Sequence, residues 1–89
     1  MSQENITEIS KALADGKLII GTDRVLKGLK NTELSKVFVT SNISEIVKGD
    51  IEHYAKLSDT EVLYLDLNSE DLGEVCKKRF NISLVAIVK

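Results

Sequence analysis

The sequence predicts a single α/β domain over residues 1–89, a three-layer α/β/α sandwich whose mixed four-stranded sheet carries helices on both faces. Three observations carry this. Apolar residues recur at helical spacing in some segments and cluster in short β-branched runs in others, and the two kinds alternate as αβαβαβαβ. The last run, Ser83 to Val88, is almost wholly apolar, which suits a central strand buried on both faces. The 89 residues suffice for one domain and not two, and a modest core forms at this size without disulfides or a metal.

Ile6, Ile9 and Leu13 recur at three- and four-residue intervals, so Asn5 to Ala14 reads as an amphipathic helix, and Asp15-Gly16 ends it with a glycine suited to a left-handed C-cap. Lys17-Leu18-Ile19-Ile20 is a short strand. Gly21-Thr22-Asp23 follows as a turn with a good N-cap residue, and Arg24 to Lys30 is a helix with Val25, Leu26 and Leu29 inward. Asn31 to Ser35 is a polar connection. Val37 to Thr40 is β-branched and aromatic, hence a strand. After a loop at Ser41 to Ser44, a helix runs from Glu45 or Lys48 to Leu57 and buries Ile51, Tyr54 and Ala55. Glu61 to Leu65 is the third strand. Asn68 or Ser69 caps a fourth helix through Asp71 to Cys76, whose first-turn acids Glu70 and Asp71 suit the helix dipole.

Composition removes several function classes. Hydrophobic residues make up 43% and charged residues 29%, a globular balance. One cysteine, Cys76, and one histidine, His53, provide neither an internal disulfide nor a zinc set. No run of about 20 apolar residues is present to span a membrane. The opening Met1-Ser2-Gln3-Glu4-Asn5 is unlike a signal peptide, so a cytosolic protein is expected. No phosphate-binding P-loop or dinucleotide fingerprint surrounds Gly21. Cys76 reads as a core residue, His53 as a surface or half-buried structural one, and no constellation supports catalysis. No cofactor and no metal are expected.

The net charge is −2, and its distribution is uneven. Lys17 to Lys48 holds six bases and three acids, Asp50 to Glu74 holds eight acids and one base, and Lys77 onward holds four bases and no acid. Such blocks either solvate separate faces or form a bipolar surface with a basic patch for phosphate.

Three segments have binding chemistry. Gly21-Thr22-Asp23-Arg24 with Lys27 combines a close-approach glycine, a helix start with free N–H groups, and two cations; it also reads as an ordinary βα turn with an aspartate cap. Thr40-Ser41-Asn42 offers an amide to a base edge or a 2′-hydroxyl, or a capping asparagine. Lys77-Lys78-Arg79-Phe80-Asn81-Ile82 sets three bases beside an aromatic. Phe80 there either stacks on an unpaired base or plugs the core beneath the loop.

Several stretches, in this order, carry a resemblance: Gly16-Lys17-Leu18-Ile19-Ile20-Gly21, then Val37-Phe38-Val39-Thr40-Ser41-Asn42, then Asp50-Ile51-Glu52-His53-Tyr54-Ala55-Lys56-Leu57-Ser58, then Leu72-Gly73 followed by Phe80 and the apolar last strand. Over nearly its whole length the chain resembles the kink-turn-binding superfamily of small RNA-binding proteins. Within it, the likeness is to the large-subunit ribosomal branch of archaea and eukaryotes. The resemblance implies an α/β/α sandwich that binds a kink-turn or similar bent loop of rRNA among other ribosomal components. Together with the composition, a cytoplasmic protein with no membrane partner, monomeric when free, is expected. It places the contact to the sheared G·A region on Gly21, Thr22, Asp23, Arg24 and Lys27. Asn42 and Lys48 follow, and Phe80, Asn81 and Ile82 would pack on an extruded base. The loop's own chemistry sets Lys78 and Arg79 to hold phosphates. General kink-turn binders carry Asn-Glu where this chain has Asp23-Arg24, and the ribosomal branch commonly has a base near Asn81. These departures bear on base-specific contacts more than on phosphate contacts. The competing readings are a kink-turn protein of another ribonucleoprotein and a protein-binding adaptor that uses the acidic block.

Overall fold

Helices and short apolar strands alternate along the chain, and the strands gather into one sheet between the helices. The structure, a computed structural model, describes residues 2–31 and 33–89. The element order is α1 (Ser2–Ala14), β1 (Leu18–Ile20), α2 (Thr22–Lys30), β2 (Leu34–Val39), α3 (Glu45–Ser58), β3 (Glu61–Tyr64), α4 (Ser69–Val75) and β4 (Leu84–Val88). The strands lie in the order β1-β4-β2-β3. β4 pairs antiparallel with both β1 and β2, and β2 pairs parallel with β3. The sheet is therefore mixed, and β4 is a central strand, as its unbroken apolar run required.

The two central strands send alternate side chains to opposite faces, because the side-chain period of a strand is two. Val37 and Val39 of β2 and Leu84 and Ala86 of β4 meet Val25, Leu29, Ile51 and Ala55 of α2 and α3. Phe38 and Val85 point the other way, to Ile9 of α1 and Leu72 of α4, with Cys76 and Ile82. Two helices on each side complete the three layers. Phe38 is fully buried between them, and cutting it to alanine is expected to cost about 3–5 kcal/mol.

Helices α1, α3 and α4 end by the same device. Lys17, Thr60 and Lys78 each donate their N–H to the carbonyl five residues back, on Ala12, Ala55 and Gly73, and the residue before each donor is left-handed: Gly16 (φ 71°), Asp59 (φ 55°) and Lys77 (φ 60°). These are Schellman ends, for which glycine is the usual choice.

Some boundaries differ from the sequence reading. Leu34 and Ser35, read as part of a connection, belong to β2; Thr32 of that connection lies outside the described residues. The β2–β4 register slips between Leu34 and Lys36. This bulge turns Leu34 onto the same face as Val37, against Gly28 of α2. Gly21, not Asp23, occupies the N-cap of α2, and no side chain caps that end. Asn68 does cap α4, accepting from the Asp71 N–H at 2.8 Å. Tyr54 is half-buried, with the Lys30 ammonium 5.1 Å above its ring. Strand β3 stops at Tyr64 instead of Leu65, although the Leu65 N–H still reaches the Val39 carbonyl at 2.8 Å.

Candidate nucleic-acid interface

Strands β1, β2 and β3 run the same way, and β4 runs against them. One edge of the sheet therefore collects the segments that leave the first three strands and the segment that enters the fourth. These are Gly21 and the start of α2, the loops at 40–44 and 65–68, and Ser83. Helices α2, α3 and α4 all begin here, so their positive dipole ends face the same edge.

The loops are stitched together. The Thr40 N–H and hydroxyl both donate to the Ser83 carbonyl, each at 3.0 Å. The Ser41 N–H donates to Leu67 at 2.8 Å and the Ile82 N–H to Ser69 at 3.0 Å. The Asn42 amide docks onto the first residue of α4: its Oδ1 accepts from the Ser69 N–H at 2.9 Å and its Nδ2 donates to the Ser69 hydroxyl at 3.2 Å. Asn42 thus serves α4 as a cap from a neighbouring loop, while still facing solvent.

At the β1 side, Gly21 takes φ 111°, ψ 144°, a region open to glycine and strained for any side chain. Space is not the reason, since nothing stands within 4 Å of where a Cβ would project. Its carbonyl accepts the Val25 N–H at 3.0 Å and so opens α2. Without a side-chain cap, the first N–H groups of α2 stay available at the edge. Thr22 is half-buried. Asp23, Arg24 and Lys27 are exposed, and neither cation forms an ion pair among the described residues. Arg24 and Lys27 line a groove of about 420 Å³ that runs down the α2 flank past Ile19 and Asn31 to Glu33.

The segment before β4 lies on the other face of the sheet. From Lys78, whose N–H is held by the Gly73 carbonyl at 2.9 Å, it climbs back along α4. Gly73 presses directly on the Phe80 backbone carbonyl, where a Cβ would collide. Ile82 then reaches Ser69, four residues and about 6 Å up the helix. Lys78, Arg79, Phe80 and Asn81 line a hollow of about 300 Å³ together with Glu70 and Glu74. Phe80 is 60% exposed and so is not a core plug; Ile82 beneath it is 3% exposed and belongs to the core.

Lys48 sits one turn into α3 at the same edge, its ammonium 5.4 Å from the centre of the Tyr64 ring. Tyr64, which sequence reasoning reads only as a strand residue, is half exposed here at the end of β3. No local pattern marks it, because its position depends on β3 being the outermost strand. Ile46, also in the first turn of α3, is 78% exposed, and no local pattern singles it out either.

The remaining chemistry is sparse. Burial raises the Cys76 thiol pKa, and nearby Lys78 only partly opposes this, which disfavours the thiolate. Among the described residues no group of His, Cys, Asp and Glu gathers as a metal site, and no helix is long and apolar enough to cross a membrane.

Comparisons with known proteins agree with this architecture. A 15.5 kD RNA-binding protein from Giardia lamblia superposes with a TM-score of 0.84 at 12% identity, covering 99% of this chain and 73% of that one. A protein of unknown function from Bacillus halodurans also superposes with a TM-score of 0.84, at 15% identity over 94% of this chain and 83% of its own. In sequence, the large ribosomal subunit protein eL30 of Saccharolobus solfataricus is 38% identical over 91% of this chain and 75% of its own length. That of Methanothermobacter thermautotrophicus is 39% identical over 89% and 81%, and that of Candida albicans 32% identical over 98% and 83%. The family model described as the ribosomal protein L7Ae/L30e/S12e/Gadd45 family matches residues 4–89, and the chain belongs to that family.

Proposed function

We propose that the chain is a structural protein of the large ribosomal subunit, in the cytoplasm, that holds a kink-turn or similar bent internal loop of rRNA at this edge of the sheet. One observation carries the reading. The free cations stand on two flanks that face away from each other, Arg24 and Lys27 on α2 and Lys78 and Arg79 beside α4, with an uncapped helix start on the edge between them. A straight duplex meets one flank; a bent RNA can lie against both. The eL30 relatives, named as large-subunit proteins, support the ribosomal setting.

Each part then has a role. The free N–H groups of α2, with Gly21 and Thr22 close beneath the RNA, take a backbone phosphate, and Arg24 and Lys27 add charge. The Asp23 carboxylate, not used as a cap, accepts from a guanine edge. The Asn42 amide keeps one N–H and one lone pair beyond its bonds to Ser69. Lys48, Lys78 and Arg79 contact phosphates. Phe80 stacks on an extruded base, Asn81 lies beside that base, and Ile82 supports the loop from within the core. Such an assembly positions RNA and performs no catalysis, and the free protein is a monomer.

Filter binding to a kink-turn RNA, with a straight duplex of equal length as control, tests the proposal. Preference for the kinked RNA at moderate salt is expected. Equal weak binding to both overturns it. Copurification with large ribosomal subunits separates the ribosome from other ribonucleoproteins.

A further inference from the structure

Lys48 and Glu52 stand four residues apart on α3, the spacing at which opposite charges on a helix surface pair. They do not pair. Tyr64 lies between them. Its hydroxyl donates to the Glu52 carboxylate, and its ring face carries the Lys48 ammonium at 5.4 Å. This is within the range where a cation is held by an aromatic quadrupole. The same tyrosine thus occupies the carboxylate with one end and holds the cation with its face.

We infer that Tyr64 is a positioning residue that keeps the Lys48 charge free of Glu52, so that Lys48 reaches an RNA phosphate at the β3 corner of the sheet edge. A ring face leaves the ammonium N–H groups open to a phosphate, whereas a carboxylate partner would engage them directly. The arrangement also extends the footprint. β1 and β3 are three strand spacings apart, about 14 Å, so a phosphate at Lys48 lies well beyond the Gly21 turn. The Tyr64 hydroxyl keeps its proton at any working pH, since the bond to Glu52, then burial, push its pKa up to about 12. The switch-like alternative, a tyrosinate that releases Glu52, is therefore out of reach near neutrality.

The inference rests on the RNA-binding reading, and two arms keep their failures apart. In the free protein, Tyr64→Phe retains the ring but releases Glu52. NMR scalar coupling across a hydrogen bond, between the Lys48 ammonium nitrogen and the Glu52 carboxyl carbon, is expected in Tyr64→Phe and not in wild type. In the second arm, binding to the kink-turn RNA is measured against salt. Tyr64→Phe is expected to lower the salt slope by about one unit, the value for one lost phosphate contact. Adding Glu52→Gln is expected to restore it, which loss of structure would not allow. No coupling in Tyr64→Phe, or the same coupling already present in wild type, overturns the insulation. A positive NMR arm with an unchanged salt slope, or one that Glu52→Gln fails to restore, overturns its use for RNA. If wild type itself shows no preference for the kinked RNA, the RNA-binding reading has failed, and the NMR arm still decides the insulation.

Discussion

The two flanks of the sheet edge are both cationic but are made differently. On α2, Arg24 and Lys27 stand three residues apart on a regular helix, and among the described residues the groove they line meets an acid only at its far end, Glu33. Beside α4, Lys78 and Arg79 share a hollow with Glu70 and Glu74, so their distant field is partly offset. That second flank compensates with shape: an exposed aromatic on a loop held against a helical glycine. Under the proposed function the contrast is a division of labour, with phosphate attraction on α2 and recognition of an unstacked base beside α4. Substitutions confined to one flank leave the other as their control.

Gly73→Ala is expected to have the largest effect. A Cβ there meets the Phe80 backbone carbonyl, and backbone cannot swing aside as a side-chain tip does. The overpacking is expected to cost about 1–3 kcal/mol of stability, read as a lower denaturant midpoint. Preference for kinked RNA should vanish as the loop shifts, while weak salt-sensitive binding through α2 persists. If both kinds of binding fall together, the flanks are not separable.

Phe80→Ala removes the aromatic without touching the loop backbone. Binding to the kink-turn RNA should weaken by about 1–3 kcal/mol, the scale for stacking one base. Stability should stay within about 0.5 kcal/mol, because the ring is largely in solvent. A large fall in the unfolding midpoint at constant affinity would restore the view of Phe80 as a packing residue.

Single cation deletions sharpen the contrast further. Lys27→Ala or Arg24→Ala should weaken binding to all RNAs alike and lower the salt slope by about one unit each. Lys78→Ala should lower it by one unit or less, since Glu70 and Glu74 already offset that charge. Equal slopes from both flanks would remove the role assigned to the α4 acids.

Much of this architecture was legible in the residues. The glycine end of α1 at Gly16, the Asn68 cap and the central placement of β4 follow from local chemistry that has few alternatives. The Phe80 segment was legible only as a choice. Three bases, an aromatic and an aliphatic read the same whether the ring points in or out, and what decides is a close approach by Gly73, seven residues earlier on another element. Tyr64 was missed for a similar reason. Its exposure and its contact with Lys48 depend on strand order, which no window of β3 encodes. The bulge at Ser35 and the glycine-free helix ends at Asp59 and Lys77 were equally hidden, because there tertiary contacts hold a conformation that the local residue does not favour.

Those two helix ends give the smallest and most selective test. Lys77 (φ 60°) and Asp59 (φ 55°) both hold a left-handed conformation that costs a side chain about 1–2 kcal/mol. Glycine removes that cost but loses about 0.5–1 kcal/mol more on folding through its freer unfolded chain. A net stabilisation of about 0.5 kcal/mol is therefore expected for Lys77→Gly, and a smaller one for Asp59→Gly because aspartate tolerates left-handed backbone, each read in the denaturant midpoint. Only Lys77 leads into the Phe80 loop, and Asp59 lies at the far end of the sheet. Lys77→Ala removes the charge and keeps the strain, so any difference in kink-turn affinity between Lys77→Gly and Lys77→Ala isolates the backbone. If Lys77→Gly binds more weakly than Lys77→Ala while being more stable, the strained residue is holding the loop for RNA. Equal affinity for the two would mean that the Gly73–Phe80 contact alone sets the α4 flank.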